Sequence, residues 1–131
     1  MKLTLAKTIK FIPKFNGNKE LPADEQISVT IDNPSLATKD KITEHPEARA
    51  KTDKKGTISG MDIVLKIDQF PIVKAMVHSI ENLEYELDGK VVEITNAAEL
   101  IAAPADLSPL FTEIANECER ILKDSEIDEK N

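Results

Sequence analysis

One cysteine and two histidines are the residues whose chemistry could serve a nucleophile, a proton carrier or a metal ligand. Cys118 stands between Glu117 and Glu119, and their negative charges disfavour the thiolate that nucleophilic catalysis requires. His45 lies in a strongly polar stretch and His78 lies beside an apolar pattern, and neither has neighbours at zinc-ligand spacing. The sequence therefore predicts no catalytic and no metal-ligating residue.

Acidic pairs and glycines are the remaining candidates for chemistry. Glu84 and Glu86 alternate along an extended pattern, and Asp24 and Glu25 are adjacent, so solvated surface explains both pairs better than a general acid and base. The glycines, at positions 17, 56, 60 and 89, are too scattered for a phosphate-binding loop. We expect a protein that uses no cofactor and is not an enzyme. A structure that placed His78 within hydrogen-bond reach of an acid in a cleft would favour the alternative that the protein is an enzyme.

The composition bounds the class of protein. A chain of 131 residues is of single-domain size. Its 17 basic and 24 acidic residues give a formal net charge of −7, which argues against nucleic acid as a ligand. One cysteine forms no intramolecular disulfide, and no apolar run has the length of a signal peptide or a membrane span. We therefore expect a cytoplasmic protein that does not bind membranes.

Charge is unevenly distributed along the chain. Basic residues gather between Lys39 and Lys55, and acidic residues gather from Glu113 onward. Solvated surface is the favoured interpretation of both blocks. The alternative is that the basic segment attracts the acidic end of a neighbouring copy.

The first part of the chain predicts two strands joined by an ordered loop. Apolar residues alternate over Leu3, Leu5, Ile9 and Phe11, and alternation resumes over 27–31. We expect these two strands to pair.

The loop between the strands, residues 13–24, is rich in residues that favour turns. Phe15, Asn16, Gly17 and Asn18 are the candidate partner-binding residues, because a large apolar side chain there stands beside turn residues. Phe15 could either fix the loop to the core, which is the favoured interpretation, or contact a partner.

From Asn33 to Gly60 the chain is polar and charged, which predicts a mobile excursion. A short helix over 34–43, capped by Asn33, is an alternative for its first part. Alternation at Ile63, Leu65 and Ile67 then predicts a third strand or extended segment.

The second half predicts helices and a hairpin. Apolar spacing over Ile72–Ile80 predicts an amphipathic helix, and Asp88-Gly89 between alternating segments predicts a two-residue β-hairpin. Asn96 and Glu99 have the spacing of a capping box for a short helix over 97–103. A final helix begins at Ser108 and has an apolar stripe through Phe111, Ile114, Ala115, Cys118, Ile121 and Leu122.

These elements predict an α+β fold with a small antiparallel sheet, a C-terminal hairpin and two to three packed helices. We expect a single domain over 1–123, interrupted by the excursion at about 33–60 and followed by a polar tail over 124–131. Cys118 should be a small buried residue of the core.

Residues 11–27, FIPKFNGNKELPADEQI, resemble the opening of small proteins encoded in the structural modules of tailed phages and prophages. The second half is similar to the same group in the segments IENL at 80–83, DGK at 88–90 and ITNAAELI at 94–101, and in a final helix with Leu110 and Ile114. The resemblance covers both ends of the chain but not residues 33–60.

The resemblance implies a non-enzymatic tail-assembly chaperone or a minor tail or neck protein. Its partners would be other phage tail or assembly proteins, and it would form a homo-oligomer or ring. It would be found in the host cytoplasm, with the virion as a second location. The alternative is a host cytoplasmic regulatory or adaptor module that binds one protein partner.

Overall fold

The structure is a computed structural model, and it describes residues 1–43 and 69–124 of the chain. The fold is α+β, with a small antiparallel sheet, a separate hairpin and several helices. The predicted fold class is therefore confirmed. The extended segment at Ile63–Ile67, most of the polar excursion and the tail from residue 125 onward lie outside the described residues.

The sheet has three strands: β1 (Thr8–Phe11), β2 (Ser28–Asp32) and β3 (Val77–Glu81). Their spatial order is β1-β2-β3, and both pairs are antiparallel. The predicted pairing of the first two strands is confirmed, with Ile9 opposite Ile31.

The first strand is shorter than its alternating pattern, so the prediction that it includes Leu3 and Leu5 is wrong. These leucines are 58% and 72% exposed and precede β1. The reason is that β2 ends at Asp32, and the hydrogen bonds to the first segment end one residue later, at Asn33. The Asn33 amide N–H donates to the carbonyl of Lys7 at 3.0 Å, and its side chain donates to the carbonyl of Ala6 at 2.8 Å.

The predicted helix over Ile72–Ile80 is only partly correct. A helix, α2, is described over 69–76, but Val77 already begins β3. The register gives the reason: Ile31 pairs with Val77 and Thr30 with Ser79, so His78 is an extra residue in a β-bulge. The bulge lets Val77 and Ile80, three positions apart, both face the core, which imitates helical spacing.

The predicted hairpin is confirmed as β4 (Glu84–Leu87) and β5 (Lys90–Glu93). Asp88 and Gly89 form its turn with φ of 52° and 76°, which suits a two-residue hairpin. The hairpin continues the path of β3 after a break at Asn82.

Three further helices are described: α1 (Leu36–Thr43), α3 (Ala97–Ile101) and α4 (Ser108–Asp124). The cap of α1 is Ser35 and not the predicted Asn33, because the Ser35 hydroxyl accepts from the amide of Thr38 at 3.1 Å. Short 3-10 turns occupy Phe15–Glu20, Ala23–Glu25 and Ala105–Leu107.

A single cluster of buried apolar side chains joins β2, α2, β3, α3 and α4. Its members are Val29, Ile31, Ile72, Val73, Met76, Val77, Ile80, Leu83, Ile94, Ala97, Leu100, Leu110, Ile114, Ala115, Cys118, Ile121 and Leu122. The stripe predicted on the last helix therefore faces the core, apart from Phe111, which is half-buried at its edge.

Candidate protein-binding site

Cys118 is fully buried in the core. Burial, and then the charges of Glu117 and Glu119, raise the pKa of the thiol to about 12. The thiol is therefore protonated and shielded from solvent, as the predicted packing role requires.

His78 lies near an acid, but on the surface. Its Nδ1 is 3.5 Å from Oδ1 of Asp32, and the two side chains are 63% and 42% exposed. Neither residue is among those that line the cleft described below, and the absence of an enzymatic role stays a prediction. Among residues 1–43 and 69–124, no three histidine, cysteine or acidic side chains form a group that could hold a metal ion.

The two acidic pairs also lie on the surface. Glu84 and Glu86 are exposed on β4, and Asp24 and Glu25 are exposed in a 3-10 turn. Exposed carboxylates remain solvated, so solvated surface still explains both pairs.

Asn18, one of the four predicted partner-binding residues, holds the loop together from inside. It is 2% exposed, and its Oδ1 accepts from the amide of Ile27 at 2.6 Å. Its Nδ2 donates to the carbonyls of Pro13 and Ile27 at 2.8 and 3.1 Å. All of this bonding is within the chain, so the Asn18 side chain is not presented to a partner.

The other three predicted residues differ in exposure. Phe15 is half-buried and packs against the core, as the favoured interpretation expects. Asn16 and Gly17 are exposed and have positive φ of 51° and 75°, which explains why a turn-forming pair stands here. Only Asn16 and Gly17 therefore offer an exposed surface, and their binding role stays a prediction.

A cleft that the sequence analysis missed lies between α3 and α4. Its volume is about 270 Å³, and it is open to solvent on one side. The described residues that line it are Phe70, Leu100, Ile101, Ala103, Pro104, Ala105, Leu107, Ser108, Phe111 and Thr112.

The walls of the cleft are fixed by local interactions. Asn96 caps α3 by accepting from the amide of Glu99 at 2.8 Å, and the Glu99 carboxylate accepts from the amide of Thr95 at 2.7 Å. These bonds to Thr95 lower the pKa of Glu99. The predicted capping box is thus confirmed, since Asn96 caps the helix and Glu99 reaches back to the chain that precedes it. Pro104 then separates α3 from the turn that leads into α4.

Two aromatic rings form the remaining edge of the cleft. Phe70 at the described start of α2 meets Phe111 of α4 edge to face, with ring centroids 5.2 Å apart and planes at 86°. Gln69 also joins the two helices, since its side-chain amide donates to Asn116 at 3.1 Å. Phe70 remains 42% exposed, so part of its ring faces solvent in the cleft.

The chemistry of this cleft suits binding. Its described lining has eight apolar residues and two hydroxyl groups, and the hydroxyl of Ser108 already donates to the carbonyl of Ala105 at 2.7 Å. The volume falls just below the roughly 300–1,000 Å³ of sites that enclose a small ligand. The cleft can therefore accept a few apolar side chains of a partner, and its described lining supplies no carboxylate, imidazole, amine or thiol.

One sequence signal could have indicated the cleft. Phe111 belongs to the apolar stripe of α4, and two further apolar residues, Pro104 and Leu107, precede that helix. The stripe alone is enough to pack α4 on the core, so the additional apolar residues indicate a second apolar surface. The contribution of Phe70 could not be read locally, because it depends on the packing of α2 against α4.

No protein-family model, no curated protein and no solved structure matches this chain. Within the part of the chain that the structure describes, no helix is both long enough and apolar enough to cross a membrane.

Proposed function

We propose that this chain is a non-enzymatic tail-assembly protein of a phage or prophage, either chaperone-like or a minor structural component. It acts by binding an apolar segment of another tail or assembly protein in the cleft between α3 and α4. The observation that carries the proposal is the partly exposed ring of Phe70 at the edge of an open apolar cleft.

The physical argument for binding is the cost of leaving apolar surface in water. Burial of apolar area contributes about 25 cal/mol per Å², so a partner side chain that covers Phe70 and the cleft is favoured. Aromatic residues, phenylalanine among them, are enriched in the buried cores of protein interfaces. A chaperone-like role fits such a site, because it would shield an apolar segment until the partner assembles.

The assignment to phage tails rests on the resemblance of residues 11–27 and 80–101. The ordered loop and the hairpin that these segments form are non-catalytic features, which is consistent with a protein that works by contacts. The protein would act in the host cytoplasm or remain in the virion. A host adaptor that binds one protein partner is the alternative function.

Co-expression with neighbouring genes followed by affinity capture tests this function. The wild type should retain a tail or assembly protein. Thr112→Arg places a long charged side chain in the cleft without removing a core residue. It should weaken binding of the captured partner about tenfold or more, which corresponds to about 1.4 kcal/mol of binding free energy.

Leu36→Arg is the matched control, because Leu36 is 89% exposed on α1 and does not line the cleft. It should leave capture unchanged. Equal capture by the two variants would refute the cleft as the binding site. Capture of a host regulator in place of a tail protein would refute the phage assignment and favour the adaptor.

A further inference from the structure

Residues 1–5 form an extended segment with two different faces. They have no regular secondary structure and all are exposed, with Met1, Leu3 and Leu5 at 114%, 58% and 72%. In extended conformation these three apolar residues share one face, and Lys2 and Thr4 share the other. We call residues 1–5 the arm. Its pattern is that of a strand that has no partner within the described chain.

The β4–β5 hairpin, like the arm, has one mainly apolar face and one polar face. Cross-strand pairing places Tyr85 opposite Val92, with Leu87 on the same face. Leu87 and Val92 are 53% and 39% exposed. Lys90, which pairs with Leu87, also lies on this face, so the hairpin presents a mainly apolar face with one lysine to solvent.

The opposite face of the hairpin is acidic. It carries Glu84, Glu86 and Glu93, together with Val91, which is 62% exposed. All four residues of β5 are exposed, and no described strand pairs with its outer edge. Such an edge is a template for an added strand.

We infer that the arm of one copy adds as a strand beside β5 of a second copy. Each face of the arm then lies on the same side of the sheet as the matching face of the hairpin. Leu3 and Leu5 cover the exposed side chain of Val92 on the apolar face, while Lys2 lies on the face that carries Glu93. The arm and the outer edge of β5, which pair with no described strand, then gain hydrogen-bonded partners, and a two-stranded hairpin becomes a three-stranded sheet, which is the more stable arrangement.

The topology favours a contact between copies over one within a chain. The arm leaves the three-stranded sheet at Thr8, which pairs with Asp32 at one end of β2. The hairpin leaves at Glu81, which pairs with Ser28 at the other end. The four residue steps from Ser28 to Asp32 separate these two points by about 13 Å. The chain that precedes Thr8 runs away from the hairpin end.

A contact between one end of a copy and the opposite end of the next is head-to-tail. Such an interface closes into a ring or extends as a filament, and it does not form an isolated two-fold dimer. The inference concerns the hairpin and the arm, whereas the proposed function concerns the cleft, so either can fail without the other.

Sedimentation of the 131-residue chain over a range of concentrations tests the inference. The wild type should associate beyond a dimer. Leu3→Ser with Leu5→Ser should weaken association about tenfold or more, because the apolar surface that these leucines bury is lost. Leu36→Ser is the matched control, since it changes an exposed leucine outside the arm, and it should leave association unchanged.

A mixing experiment tests the head-to-tail geometry. The experiment uses a concentration at which the arm variant Leu3→Ser/Leu5→Ser and the hairpin variant Val92→Asp are each monomeric alone, with unchanged circular dichroism. Mixed together they should form a one-to-one heterodimer, because one intact arm meets one intact hairpin. A wild type that stays monomeric up to about 1 mM, or mixed variants that remain monomers, would overturn the inference.

Discussion

The side-chain amide of Asn82 donates to the backbone carbonyl of Gln26 at 3.0 Å. It donates equally to the carbonyl of Asp24. Asn82 also has a positive φ of 62° and stands where β3 ends and the hairpin begins. These two bonds therefore join the root of the hairpin to the loop that precedes β2, and they set the direction in which β4 and β5 leave the sheet.

Two substitutions at Asn82 separate the contribution of its hydrogen bonds to stability from the contribution of its backbone conformation. Asn82→Gly keeps the left-handed conformation and loses the bonds, so it should lower the free energy of unfolding by about 1–2 kcal/mol. Asn82→Ala should cost roughly 1 kcal/mol more, because alanine disfavours positive φ. Urea denaturation measures both, and equal effects would show that the backbone at Asn82 is unstrained.

Asn18 and Asn16 should respond very differently to substitution. Asn18→Ala leaves the partly buried amide of Ile27 without its acceptor at 2.6 Å and the carbonyls of Pro13 and Ile27 without their donor, and it should lower the free energy of unfolding by about 2–4 kcal/mol. Asn16→Gly keeps a positive φ at an exposed site and should change the free energy of unfolding by about 0.5 kcal/mol or less. Denaturation midpoints that did not follow this order would contradict the internal role of Asn18.

Ile114 lies at the centre of the core and has no exposed surface. Ile114→Ala should lower the free energy of unfolding by about 2–5 kcal/mol, because apolar contacts are lost and a cavity is left behind. Leu36→Ala, at a leucine that is 89% exposed, is the control and should cost about 0.5 kcal/mol or less. A loss below about 0.5 kcal/mol at Ile114, measured in urea, would contradict the core assignment.

Cys118 makes stability depend on alkaline pH. Its pKa is raised in the folded protein to about 12 from an ordinary value of 9.0, mainly by burial. The unfolded thiol therefore loses its proton first, so the stability linked to this group is full below pH 9 and is lost as pH rises toward 12. The slope is about 1.4 kcal/mol per pH unit within that window.

The comparison that isolates this effect is between the wild type and Cys118→Ala. The free energy of unfolding of the wild type should fall more steeply between pH 9 and the highest pH at which folding is reversible. Parallel pH profiles would contradict a buried, protonated thiol. The native thiol should also resist alkylation at pH 8 and react once the protein is unfolded.

Local interactions explain which elements the sequence predicts correctly. The Asp88-Gly89 turn, the Asn96 cap and the stripe of α4 each depend on residues within about two helical turns, and each appears in the structure. The errors lie where distant contacts decide. Leu3 and Leu5 alternate like a strand, but β2 ends before it could pair with them.

Val77 and Ile80 also show that distant contacts limit prediction from the local sequence. Their helical spacing arises from a bulge in β3, which exists only because β3 pairs with β2. Of the predicted binding loop, the exposed part is Asn16 and Gly17, since the burial of Asn18 depends on Pro13 and Ile27. The cleft was missed because Phe70 and Phe111 are 41 positions apart in sequence and come together only through helix packing.

Photo-crosslinking from the cleft tests most directly that this protein works by binding a partner there. Phe70→benzoylphenylalanine would be co-expressed with the neighbouring genes, with Leu36→benzoylphenylalanine as the control. The account predicts a crosslink to a tail or assembly protein from position 70 and none from position 36. No crosslink from position 70, or the same crosslinks from both positions, would contradict it.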